Sequence, residues 1–541
     1  MKPGEGSNNG TSASKEAGDK QCTESMPPSI KHLYAGQTIF ITGVSGFLGK
    51  ALLEKLLRVA PNIERIYVLL RPKKGQQPTE RLKTILQTKL FDSIREASPN
   101  FTEKVIPIFG DITLENYGIC ESDLCDIIAN TDIVFHVAAT IKFDELLRKS
   151  ILQNVVSVQT MIRICKRMPK LKSYVHVSTA FCNTDKEVIE EVIYSDIVPP
   201  QKLIDAMSWM DDDMISQVTP KLLGRLPNTY TFTKKLAEIV IATEGLNLPI
   251  AIVRPSIIGA SWKEPVSYSP QGWIDNYYGG TAAMLLVAKG LLRRIVAKEK
   301  CKADLVPVDY TVNMLLAACW HAVHASKQQT PLIYNCCSSP DNPFVWGSWL
   351  SLTLKNSYEF PHDQVFRMPS CSMNGETNRF HLFMQHWVPA YIVDAWRFVC
   401  GKKPRLINEY DRIHRSMTAF EYFTCTEFKW TNKNAKKLWQ TMTPEDHKEF
   451  PFDFTELNWE SYISNYCIGI KRYLMNEDLS NLPQAKKKMA RRQHIRWGTY
   501  ALLVFIIWRV IFSKSMWDKS LWLSRINTYL KTTRTLLLIS P

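Results

Sequence analysis

Tyr230 and Lys234 stand four residues apart in "PNTYTFTKKLAE". On a helix such a pair shares one face. A phenol can hand a proton to a carbonyl oxygen under reduction if its pKa, about 10 when free, is drawn toward neutrality. A nearby ammonium does this by favouring the phenolate. Pro227 and Asn228 read as a helix start, which puts Tyr230 in the first turn and Lys234 one turn behind. Lys235 lies about 100° further round and is expected to face away. With 20 tyrosines and 67 lysines and arginines, such a spacing also arises by chance. Its meaning depends on what accompanies it.

Two hydroxyls, Ser178 and Thr179, close the strand-like stretch "SYVHVSTAFCN". The C-terminal end of a strand is the edge where open α/β sheets bind ligands, so either could polarise the carbonyl. The hydride would come from a nicotinamide, and an earlier stretch offers it a seat. "QTIFITGVSGFLGKALLEKLL" runs from an apolar strand, Thr38 to Ile41, through Gly43, Gly46 and Gly49 into a helix with Leu48, Leu52, Leu53 and Leu56 on one face. Strand, glycine turn and helix form a dinucleotide-binding pattern. Gly43 permits the tight turn, Gly46 lets backbone approach a pyrophosphate, and Gly49 allows close helix packing.

The second strand, "RIYVLLR", ends in Arg71 ahead of Pro72, Lys73 and Lys74, where an NAD-preferring fold places an acid. A planar, permanently charged guanidinium suits a 2′-phosphate, so NADPH is predicted. "VIPIFGDIT" ends at Asp111, a candidate partner for the adenine. Ala138 and Ala139 are small enough for a cofactor to lie against. Strands alternating with helical stretches such as Leu146 to Arg167 predict an α/β fold with a Rossmann-like, doubly wound parallel sheet.

The Gly-x-x-Gly-x-x-Gly spacing resembles the extended branch of the short-chain dehydrogenase/reductase superfamily. By strand position that resemblance favours Thr179 as the catalytic hydroxyl, with Ser178 in reserve. Further stretches in order, "VHVSTAFCN", "PNTYTFTKKLAE", "IVRPSIIGASWKEPV", "GWIDN" and "ADLVPVDYTVNMLL", resemble alcohol-forming fatty acyl-CoA reductases over roughly residues 35 to 475. The resemblance implies four-electron reduction of long-chain acyl-CoA by NADPH, through an aldehyde, to a primary alcohol and CoA. It also implies cofactor contacts at Gly43, Val44, Ser45, Gly46, Phe47, Leu48, Arg71, Asp111, Lys234 and the strand end Arg254, Pro255 and Ser256. Two other readings compete. One is a reductase that stops at aldehyde or acts on a sterol or sugar; the other is a non-catalytic, NADPH-sensing membrane scaffold.

The chain of 541 residues is long enough for several units. Residues 1–34 read as a disordered lead-in without a secretory signal. A reductase domain spans 35–355, with an insertion at 182–227 that reads equally as an acyl-chain flap or a packed helix pair. Residues 356–475 are helical and resemble the C-terminal domain of male-sterility proteins. There "FHLFMQHWVPAYIVDAWRFVCGKKPRL" fits a helical hairpin at a membrane interface, with His381 and His386 structural or interfacial.

Residues 476–541 place Lys486 to Lys488, Arg491, Arg492 and Arg496 before an apolar run from Trp497 to Phe512. That predicts a membrane anchor with the catalytic part facing the cytosol, the endoplasmic reticulum being favoured over the peroxisome. The net charge of +15 follows such clusters, and no nucleic-acid module is visible. A basic run, Arg293, Arg294, Lys298, Lys300 and Lys302, fits CoA phosphates, a solvated surface helix or a lipid-facing patch. The 13 cysteines lack zinc spacing and read as free thiols, so no metal is expected. Acyl-chain length, the number of membrane passes and a homo-oligomeric state stay open.

Overall fold

A computed structural model describes residues 28–511 apart from 74, 265–271, 326–329, 374–379 and 381, together with 524 and 526–528. Expectations for residues 1–27, Lys74, His381, Phe512 and most of the tail beyond it lie outside the described residues.

Seven strands, β1 (Thr38–Thr42), β2 (Arg65–Leu70), β3 (Val105–Phe109), β4 (Ile133–His136), β5 (Ser173–Val177), β6 (Ile250–Pro255) and β7 (Leu332–Cys336), form one sheet in the order β7-β6-β5-β4-β1-β2-β3. Every pairing in it is parallel. The strands are near-continuous apolar runs, as a sheet covered on both faces requires. Alternate residues of β1 part company. Ile39 and Ile41 pack with α1 (Phe47–Val59), while Phe40 packs on the opposite face with α2 (Thr229–Glu244). The buried helix α3 (Val308–His324) lies on the α1 side. Strand order reverses between β1 and β4, and the C-terminal edge at that reversal is where such sheets bind ligands.

The helical region does not build a core of its own. Ala435, Leu438, Tyr462 and Ile463 share one apolar cluster with Leu52, Leu56 and Leu315. The expected hairpin is present, with Val388–Val399 packed against α4 (Leu406–Cys425) and Gly401 between them at φ +69°.

Three expectations change. The end of the lead-in is a helix, Ile30–Tyr34, whose two terminal side chains are fully buried. Its Tyr34 hydroxyl donates to the Leu316 carbonyl at 2.8 Å. In the insertion, Leu203, Met207 and Ile215 sink into the cluster on the α2 side of the sheet, so Pro200–Trp209 and Asp212–Leu223 are a packed pair and not a flap. In the tail, basic and apolar stretches form one helix, α5 (Leu482–Ile511). Among the described residues no helix is long and apolar enough to cross a membrane.

Candidate active site

Gly43 leaves β1 at φ +83°, and a Cβ there would stand 2.7 Å from the Ala138 backbone nitrogen. A Cβ on Gly49 would stand 2.3 Å from the Gly43 carbonyl oxygen. Both positions therefore need glycine. Around Gly46 the only atom near an added Cβ is that same oxygen, at 3.2 Å. The outer face of the turn is an open cradle of the kind a pyrophosphate fills. Val44 and Leu48 are buried, and Phe47 stacks on Trp273 with ring centroids 5.1 Å apart. Ser45 is exposed on the turn. What this stretch can offer a phosphate is chiefly backbone N–H groups at the start of α1.

Arg71 and Asp111 meet at the ends of β2 and β3, 3.4 Å apart. Burial works against the Asp111 charge, but hydrogen bonds from Thr113 and the Arg71 guanidinium outweigh it and hold the carboxyl below its usual range. The Arg71 side chain is 60 % exposed, leaving it free to meet a ligand. Arg81, absent from the sequence reading, donates to the Arg71 carbonyl and adds a second guanidinium there.

The side chain of Asn228 accepts the Thr231 N–H at 2.9 Å and starts α2. Tyr230 follows in the first turn and is half-buried. Burial pushes its phenol up to about 12, and a hydrogen bond with Thr179 offsets part of that rise. Lys234 donates to the Val177 carbonyl at 2.6 Å, at the end of β5. Burial draws this ammonium down to about 8, against the pull of Glu238. One of the three ammonium N–H groups is thus used on a strand carbonyl, and burial is the largest influence on the phenol. The phenol remains protonated at neutral pH.

Ser178 points elsewhere, donating to Glu238 at 2.6 Å, which leaves Thr179 as the hydroxyl beside Tyr230. Glu238 lies two helical steps of four from Tyr230, on the same face as Lys234. Arg254 binds it through two nitrogens, at 2.8 and 2.7 Å, and also donates to the carbonyls of Glu190 and Val192. Arg254 is fully buried, so its expected cofactor contact gives way to a structural one; a buried carboxylate demands its counter-charge. Ser256 likewise donates to Asp304 at 2.5 Å, and the Pro255 carbonyl accepts the Ala180 N–H at 2.9 Å. These contacts lock β6 beside β5. Lys235 faces away from Tyr230 as expected. It is nevertheless buried, bound to Asp185 at 3.1 Å and Asp196 at 2.9 Å.

Other contributors carried little or no sequence signal. Asn154, in a π-helical turn at Leu152–Val156, accepts the Thr140 N–H at 2.9 Å and donates to Thr233 at 3.0 Å. It thereby ties the loop after β4 to α2. His136 and His176 adjoin, Nδ1 to Nδ1 at 3.2 Å, and burial first and Lys234 second keep both rings neutral. Phe143 lies 5.9 Å from the Tyr230 ring, 5.3 Å from Phe420 and 5.5 Å from Phe423, centroid to centroid. The last two belong to α4, so the C-terminal region walls the active site. His386 is buried and accepts the Arg293 N–H at 3.0 Å, a structural role as expected.

A doubly wound dinucleotide fold with tyrosine, lysine and threonine converging at the C-terminal end of β5, next to the strand-order reversal, defines a nicotinamide-dependent reductase. The family described as male sterility protein matches residues 41–315 with its NAD-binding part and 385–477 with its second part. The chain is 41 % identical over 496 residues to fatty acyl-CoA reductase 1 of Xenopus laevis and of Homo sapiens, covering 91 % of this chain and 95 % of each relative. It is 39 % identical to fatty acyl-CoA reductase 2 of Bos taurus over the same shares. The chain belongs to this male-sterility family of fatty acyl-CoA reductases. A solved reductase domain of a nonribosomal peptide synthetase from Mycobacterium tuberculosis shares the fold at TM-score 0.54 and 17 % identity, covering 82 % of this chain and 92 % of that one. The terminal reductase domain of the myxalamid pathway does so at 0.51 and 17 %, covering 81 % and 90 %.

Proposed function

We propose that the protein reduces long-chain acyl-CoA to a primary alcohol and CoA, consuming two NADPH and two protons. The observation that carries this reading is the convergence of Tyr230, Thr179 and Lys234 beside the glycine cradle in a chain of this family. The bound cofactor supplies hydride to the carbonyl carbon. Thr179 and the Tyr230 phenol orient and polarise the carbonyl oxygen. The oxygen left by hydride addition is an alkoxide, and the protonated Tyr230 phenol beside Thr179 is placed to give it a proton. In the first round the resulting hemithioacetal breaks its C–S bond and releases CoA and aldehyde. In the second round the aldehyde takes hydride and proton to give the alcohol. The exposed Arg71, with Arg81 beside it, supports NADPH over NADH.

We also place the enzyme on a membrane, facing the cytosol, with the endoplasmic reticulum favoured. Support comes from apolar side chains exposed on Val388–Val399, such as Trp396 and Phe398, and on α5 from Trp497 to Trp508, next to the basic stretch of α5. A panel of acyl-CoAs incubated with NADPH should yield alcohols. Aldehyde alone, with NADPH in excess, would refute the four-electron reading. Flotation with phosphatidylserine vesicles should carry the full chain upward; a chain left in the load fraction would remove the membrane assignment.

A further inference from the structure

A cavity of about 880 Å³ lies away from Tyr230, between the helix Gly279–Ala288, the hairpin and α5. Its apolar wall includes Leu286, Leu291 and Ile413, and its cations are Lys289, Arg397, Arg405 and Arg492. Glu409, the carboxylate in the lining, is bound to Arg405 at 3.2 Å. The other three cations make no salt bridge among the described residues. Arg397 and Arg492 donate to the carbonyls of Lys403 and Phe366, at 3.1 and 3.2 Å, and Asp394 feels the Arg397 charge without a salt bridge. Burial also depresses the Lys289 ammonium, outweighing the pull of Glu477. None of these cations belongs to the basic run at Arg293 to Lys302.

Two helices run from the cavity to the catalytic edge. On α4, Leu406, Tyr410, Ile413 and Phe420 fall on one face. The first three line the cavity, and the last lies against Phe143 beside Tyr230. On the partner helix, Leu286 lines the cavity, while a Cβ on Gly279 would lie 3.5 Å from the Phe420 ring. Ile413 and Phe420 are about 10 Å apart along α4. A CoA thioester carries its phosphates at the far end of a flexible arm, so its carbonyl and its phosphates bind at separated places.

Building on the acyl-CoA reading above, we infer that this cavity receives the phosphate-bearing end of the CoA, with Lys289, Arg397 and Arg492 holding the phosphates while the arm follows the α4 face to Tyr230. An alkyl chain alone would account for the apolar wall but not for three cations that make no salt bridge among the described residues.

The second half-reaction supplies the control, because a fatty aldehyde carries no phosphate. In the full-length enzyme, Lys289→Gln with Arg492→Gln should raise the KM for acyl-CoA about 10- to 100-fold, the range expected when charge-assisted hydrogen bonds are lost. The KM for the matching aldehyde should move less than about twofold on the same scale. Free CoA should inhibit the variant correspondingly less, and Lys289→Arg with Arg492→Lys should restore acyl-CoA affinity. An unchanged KM for acyl-CoA overturns the inference, as does an equal rise for both substrates. So does an effect seen only with phosphatidylserine vesicles, which would assign the cations to a lipid headgroup. Wild-type enzyme that reduces aldehyde but no acyl-CoA would instead overturn the substrate reading on which the site depends.

Discussion

The turn after β1 and the far end of α4 reach the same catalytic edge under different constraints. In the turn, a Cβ added to Gly43 or Gly49 would stand 2.7 or 2.3 Å from backbone atoms, closer than real contacts allow. No other residue type fits without moving the strand or the helix. At the end of α4, Phe420 and Phe423 meet Phe143 through ring contacts of 5.3 and 5.5 Å. Contacts of that kind are apolar and weakly directional, so other large side chains could replace them at modest cost. The cofactor side is held by backbone sterics and hydrogen bonds, and the substrate side by exchangeable surface. The first should tolerate almost nothing, while the second should tune what the enzyme accepts.

The largest effect should come from the chemistry between these regions. Tyr230→Phe keeps the ring packed on Phe143 but removes the proton donor, and should lower kcat about 10²- to 10⁴-fold. NADPH affinity should stay unchanged by fluorescence titration. A variant with wild-type turnover would move the proton donor elsewhere. The pH profile separates Lys234 from Tyr230. Lys234 is protonated below its pKa of about 8, so kcat/KM should fall as pH rises through that value in the free enzyme. Lys234→Arg should carry that limb upward, because a guanidinium does not lose its proton there. A descending limb that stays in place would assign it to another group.

Next in size is the support behind the cofactor side. Glu238→Gln leaves the Arg254 guanidinium buried without its counter-charge and should cost about 3–5 kcal/mol of stability. The fall in Tm should exceed any rise in the KM for NADPH measured below the melting range. The reverse pattern would return Arg254 to the cofactor. A smaller change is expected from Arg71→Ala. Losing a charge-assisted hydrogen bond should weaken NADPH by about 10- to 100-fold and leave NADH nearly unaffected. Equal losses with both cofactors would place the 2′-phosphate away from Arg71.

These two regions also divide what was legible in the sequence. The cradle was readable because its constraint is local: three glycines, a strand before and a helix after. Tyr230 and Lys234 were readable for the same reason, as was the rotation that turns Lys235 away. Arg254 was assigned to the cofactor because the family pattern places it at a strand end. Its true partner, Glu238, sits on a different element, and no spacing rule joins a strand end to a helix interior. The weight of burial on the phenol was not legible for a related reason. Proximity along α2 could not show how deeply Tyr230 is set or that the Val177 carbonyl accepts a hydrogen bond from Lys234. The insertion was equally ambiguous, because an amphipathic helix looks alike whether its apolar face meets a sheet or a ligand. Phe420 and Phe423 left no signal, since aromatic residues on a helix read as core.

The smallest predicted effect tests the substrate side most directly. Phe420→Ala removes the ring between Phe143 and the helix start at Gly279, and losing one aromatic contact is worth about 0.5–1.5 kcal/mol. That converts to a KM change of about 2- to 10-fold, with kcat and NADPH affinity intact. If the α4 face guides substrate toward Tyr230, the change should depend on the acyl-CoA used, because a wider passage relaxes discrimination among chains. A uniform change across all chain lengths would reduce Phe420 to packing and shift selectivity to the cavity end of the helix. A drop in kcat equal to that of Tyr230→Phe would show instead that the aromatic wall positions the catalytic phenol. In that case the distinction between a rigid cofactor side and a tunable substrate side would fail at Phe143, where the two meet.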